Sequence, residues 1–212
     1  MIPGLAYAAA TSGGAVSDLQ QFLAGTFGRP AASRIARARQ VLAAANPFSE
    51  RGLLAEIAAM AVVVRGITTR QALSEGLPSS SKTAVQRAIK VHDSEAWTHA
   101  LAGAWHYQVL AKSKLGAVLY GASKSAGDAH FARSAQLSGD PGTALAEAIA
   151  ILSDGEAGAD ATRVLTRLEA SRTLRSGTTD YMSLVRQHSD DLIELLQARD
   201  YRSAAQRVST LF

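Results

Sequence analysis

Residues 84–107 read AVQRAIKVHDSEAWTHALAGAWHY. Ala84, Val85, Ala88 and Ile89 recur at three- and four-residue spacing, the signature of one buried helix face. Asp93 and Ser94 then break the pattern, and Ala96, Trp97, Ala100, Leu101 and Ala104 open a second stripe at the same spacing. Two helical stripes separated by so short a polar break fold back as antiparallel neighbours. The small residues let their backbones approach closely, and the tryptophan fills what remains.

The same arrangement recurs on either side. Residues 38–58, ARQVLAAANPFSERGLLAEIA, pass from a small-residue helix end through a break to a new apolar opening. Residues 127–152, GDAHFARSAQLSGDPGTALAEAIAIL, do so again. The openings near residues 51, 96 and 142 are about 45 residues apart, which makes repetition the organising feature.

Punctuation places the other helices. Asp18 is expected to cap a helix over 19–24, stopped by Gly25 and Gly28, and Pro30 opens the next. Ser49 is expected to cap a helix running through Val64, Thr68 a short one through Leu73, and Ser81 the helix carrying Ala88. Residues 115–120 form an apolar run that either extends the Trp-bearing helix or makes a short one of its own, and Gly121 marks a turn. Helices follow over 125–137, 143–152, 160–174, 179–198 and from Asp200, with a glycine-rich loop at Gly155 and Gly158. No alternating strand pattern appears, so the fold class is all-α. Residues 1–17, small and glycine-interrupted, are expected to be a flexible arm or the remnant of a targeting segment. Residues 18–212 then form one domain, in line with the chain's length of 212 residues.

Hydrophobic residues make up 47% of the chain but aromatics only 6%, so the core is one of closely packed aliphatic helices. With no cysteine, disulfides, thiolate metal sites and cysteine nucleophiles are excluded together. No apolar run approaches a membrane span, so a soluble protein, cytoplasmic or periplasmic after processing, is expected. Net charge is +7 over residues 1–133 and −3 over 134–212.

The three junctions resemble those between consecutive tetratricopeptide repeats. Ala84, Ala88 and Ile89 match the second-helix positions, and Trp97 the large residue that follows. Phe131 matches the large second-helix residue of the next junction, and Pro47 and Pro141 the turn prolines. Residues 96–137 resemble bacterial tetratricopeptide-like proteins and, more distantly, the repeat domain of the regulator-of-microtubule-dynamics family, with Leu119, Tyr120 and Gly121 as a corner ahead of the second helix. The resemblance implies antiparallel helix pairs stacked as an α-solenoid with a right-handed superhelix, and a protein that holds another protein or peptide.

Catalytic signatures are missing: no GxSxG, P-loop or GxGxxG motif occurs. His99 and His106 share a helix face but stand about 10.5 Å apart along the axis, too far for one metal. No metal, cofactor or small-molecule substrate is expected. The expected function is that of a scaffold or adaptor, with Trp105, Tyr107 and Gln108 on its binding face and Lys112 and Lys114 at the rim. One alternative is a basic surface for acidic membrane or nucleic acid, made of Arg29, Arg34, Arg37, Arg39 and Arg51. Another is a structural subunit whose N-terminal arm exchanges with a neighbour. Ala88, Trp97, Gly121, Phe131 and Pro141 are read as structural.

Overall fold

A computed structural model describes residues 4–46, 49–137, 139–153 and 160–211. Among them the chain is entirely helical, with no strand. The helices are α1 (Gly4–Ala24), α2 (Ala31–Ala44), α3 (Leu53–Gly66), α4 (Thr69–Ser74), α5 (Leu77–Val91), α6 (Ala96–Lys112), α7 (Lys114–Tyr120), α8 (Lys124–Leu137), α9 (Gly142–Leu152), α10 (Ala161–Ser171), α11 (Thr179–Gln197) and α12 (Tyr201–Leu211). The turn at Pro47 and the loop with Gly155 and Gly158 lie outside the described residues.

Two helices form the centre. Helix α6 packs against α3, α5, α7, α8 and α9, and α9 packs in turn against α8, α10, α11 and α12. Both are apolar nearly all round, the pattern of a helix with no solvent face. Helix α6 meets α8 most closely, because each contributes a glycine at the crossing. A Cβ on Gly103 would stand 2.8 Å from the Phe131 ring, and one on Gly127 2.9 Å from the Tyr107 ring.

The first helices meet the last of the described residues. Helix α1 packs on α3 and also on α11. Phe27 lies edge-on to His188, with ring centroids 5.9 Å apart, and Arg34 on α2 donates to the carbonyl of Thr210 on α12.

Several helix starts differ from expectation. Asp18 lies inside α1, where its carboxylate pairs with Arg51 rather than capping. Ala15 is fully buried, so the last residues of the expected arm belong to the core. Helix α3 begins at Leu53, after Ser49. Helix α5 begins at Leu77, with Gly76 in the left-handed conformation before it, and so encloses Ser81. Pro78 is tolerated there because the first turn of a helix has no intrahelical donor to lose. Thr68 does cap α4, accepting from the Gln71 amide at 3.2 Å. Residues 114–120 form the separate helix α7, capped by Ser113 and ended by Gly121 at φ +73°. The Ala122 amide reaches back to the Ala117 carbonyl at 2.8 Å, the bond of a Schellman-type helix end.

Candidate functional site: an apolar groove beside the short helix α7

Helices α3, α4, α5, α6 and α7 enclose a cavity of about 160 Å³. Ile57, Met60, Leu101, Ala104, Trp105 and Val109 form much of its wall. Three of the polar groups at the wall already bond within the chain. The Trp105 indole donates to Ser81 Oγ at 3.0 Å, and that hydroxyl donates to the Pro78 carbonyl at 3.1 Å. Gln108 Nε2 donates to the Ala61 carbonyl at 2.8 Å. The wall is therefore apolar in character as well as in composition.

Its rim is apolar too. The exposed large hydrophobic side chains among the described residues are Leu73 on α4 and Leu115, Val118 and Leu119 on α7, from 53% to 79% accessible. Leu115, Val118 and Leu119 follow the i, i+3, i+4 spacing of one helix face, and that face has no partner in the chain. Leu73, Leu115 and Leu119 also line the cavity. Single exposed apolar residues are ordinary, but a contiguous cluster marks an interaction site.

Lys112 sits where α6 ends. Its Nζ donates to the Ile67 carbonyl at 3.1 Å and faces that of Arg65 at 3.5 Å, so it caps the C-terminal end of α3. Burial pushes its pKa below the usual lysine value, and the neighbouring Arg65 adds to the shift.

The expected site residues divide. Trp105, Gln108 and Lys112 line the groove, and Lys114 stands exposed at the start of α7. Tyr107 faces the other side of α6. Its hydroxyl donates to Asp128 at 2.6 Å and receives Arg163 at 3.2 Å, and its ring packs on Phe131. It therefore belongs to the α6–α8 contact and not to the groove. The structural residues Ala88, Trp97, Phe131 and Pro141 are all buried. Of the arginines, Arg39 is paired with Glu75 and Arg51 with Asp18, Arg34 is buried, and Arg29 and Arg37 are exposed.

Two clusters lie outside the expected set. His130 of α8 stacks between His99 and His106, at centroid distances of 5.5 and 5.7 Å. The Ser123 amide donates to His106 Nδ1 at 3.2 Å, so that nitrogen carries no proton. Among the described residues no three metal-ligating side chains, these histidines included, are placed to hold one metal ion together. The second cluster surrounds Asp140, which is buried and takes donors from Gln20, Trp97, Gly142 and Tyr181. These four residues come from α1, α6, α9 and α11, which gives Asp140 the role of a structural tie. The pattern Gly-Asp-Pro-Gly signals a helix boundary there, but its distant donors have no signature in the sequence.

No helix among the described residues is long and apolar enough to cross a membrane. Comparison with protein-family models, curated proteins and solved structures yields no match.

Proposed function

We propose that this protein is a non-catalytic interaction module that seats a segment of another protein on the α4–α7 face, a scaffold assembled from tetratricopeptide-like helix hairpins. One observation carries the reading: the exposed large apolar side chains of the described residues gather at the mouth of one apolar groove. The hairpin pairs favour the family resemblance, while the contact of α1 with α11 favours a closed stack over an open superhelix, whose repeats touch only their neighbours. The basic-surface alternative has less support, since Arg39 and Arg51 are ion-paired and Arg34 is buried. Exchange of the N-terminal arm has less support too, because α1 packs within its own chain from Ala15 onward.

The test is affinity capture with cross-linking and mass spectrometry. Leu115→Asp with Leu119→Asp alters exposed positions and is expected to keep the fold while abolishing capture. Arg133→Asp, on the exposed part of α8, is the control and is expected to capture as wild type does. Undiminished capture by the Leu115→Asp, Leu119→Asp protein would sink the proposal.

A further inference from the structure

We infer that the docked segment is an amphipathic α-helix that sets one large apolar side chain into the cavity and turns acidic residues toward Lys112 and Lys114, an inference that rests on the docking reading above. The volume is the first reason. A dry apolar cavity of about 150 Å³ takes up a single benzene molecule, so about 160 Å³ suits one phenylalanine or leucine side chain. The wall chemistry is the second. The Trp105 indole, the Ser81 hydroxyl and the Gln108 amide nitrogen bond within the chain, so a polar occupant would lose its hydrogen bonds to water with few replacements.

The shape of the rim is the third reason. Leu73 on one side and Leu115, Val118 and Leu119 on the other form apolar lips that extend the cavity into a groove. A helix laid in such a groove presents anchors at i, i+3, i+4 and i+7. Strand addition is not open to this face, since the described residues offer no sheet edge.

Charge decides the flank. No acidic side chain lines the cavity, whereas Lys112 does, Lys114 is exposed two residues on, and Arg70 is exposed on α4. A cationic rim selects an anionic flank and speeds its encounter. The same charges disfavour a second copy of this chain, which would bring its own cationic rim up to this one across a two-fold axis.

Four probes test this on the full chain: toluene, two capped helical peptides of about 18 residues, and vesicles of phosphatidylcholine with phosphatidylglycerol. The peptides share one Leu/Phe face and carry either glutamates or lysines on the other. Toluene is expected to shift the amide resonances of Ala61, Leu101 and Gln108, and Ala104→Phe, which fills the cavity, is expected to remove the response. The glutamate peptide is expected to bind about tenfold tighter than the lysine peptide at low salt. Lys114→Glu, at an exposed site, is expected to shrink that ratio with the fold intact, so the inference does not depend on whether Ala104→Phe folds.

Unmoved amides in toluene, or equal binding of the two peptides, would overturn the inference. So would sedimentation with the anionic vesicles in place of peptide binding, or self-association that Leu115→Asp abolishes. The docking reading fails separately: it stands or falls on whether the Leu115→Asp, Leu119→Asp protein still captures its partner.

Discussion

The Trp97 indole donates to Asp140 Oδ2 at 2.6 Å across 43 residues of sequence. The tryptophan expected to anchor the junction of α5 and α6 thus reaches the start of α9, where Pro141 turns the chain. Gln20 Nε2 meets the same oxygen at 2.7 Å, while the Gly142 amide and the Tyr181 hydroxyl meet the other. Asp140→Asn would replace one acceptor oxygen with an amide group facing donors, and is expected to lower stability by about 2–4 kcal/mol. Trp97→Phe keeps most of the ring but loses the bond, for about 1.5–3 kcal/mol, and Trp97→Ala adds an unfilled volume, for about 3–5 kcal/mol. Urea unfolding measures all three; an unchanged midpoint for Asp140→Asn would show that the carboxylate does not hold these helices together.

Gly121 ends α7 at φ +73°, with nothing near the position a Cβ would occupy. The penalty for a side chain there is one of backbone conformation alone, about 1–2 kcal/mol. Gly121→Ala is expected to destabilise by that amount and Gly121→Asn by less, because asparagine tolerates the left-handed region. A gain on Gly121→Ala, the response of a continuous helix, would contradict the assigned helix end.

Gly103 tests the α6–α8 crossing. An alanine Cβ would come within 2.8 Å of Phe131 and 3.0 Å of the Gly127 carbonyl. The ring is buried and the carbonyl is backbone, so neither moves easily. Gly103→Ala is expected to cost about 1–3 kcal/mol, the usual range for overpacking, even though alanine is the better helix former. Thermal unfolding measures it, and a raised Tm would mean that the two helices stand further apart.

The histidine column and His188 make stability depend on pH. Burial, aided by His130, lowers the His106 pKa to about 4. Burial and His99 lower that of His130, with Asp93 opposing. Burial and Arg207 lower that of His188, with Asp191 opposing. An unfolded histidine takes up its proton near pH 6.5, so the folded state binds fewer protons between about 4 and 6.5. The contribution is therefore complete above about pH 6.5 and is lost as pH falls toward about 4. Denaturation midpoints at pH 7 and pH 5 are expected to differ, and His106→Asn is expected to narrow the difference; an equal difference in both proteins would remove His106 from the effect.

What the sequence revealed followed local chemistry. Three- and four-residue spacing identified the core stripes of α5 and α6. Thr68 announced its helix through its hydroxyl, and Gly121 its helix end through the conformation only glycine enters freely. Ser49 and Ser81 show the limit of the same logic. Each has a capping side chain, but the helix starts were decided elsewhere: by Leu53 and Leu54 entering the core, and by Gly76 and Pro78 opening α5 a turn early. The groove was half legible. Trp105, Gln108 and Lys112 line it, whereas Tyr107 faces the other side of α6, because residues two apart on a helix point about 200° apart. The stripe Leu115, Val118 and Leu119 was visible as an apolar run. A run's periodicity says which residues share a face, and only the packing of the other helices says whether that face is covered.

The union of α1 with α11 has a consequence for how the chain is made. Gln20 is synthesised 120 residues before the carboxylate it donates to, and Phe27 well over a hundred before His188. While the ribosome is still at work, α1 lacks the surface that α11 later supplies. The early helices can pair with α3, but they cannot complete their burial until α11 has emerged. Folding of α1 is thus tied to the emergence of α11, and a chain stalled before it leaves part of an apolar helix uncovered, the kind of surface that invites aggregation.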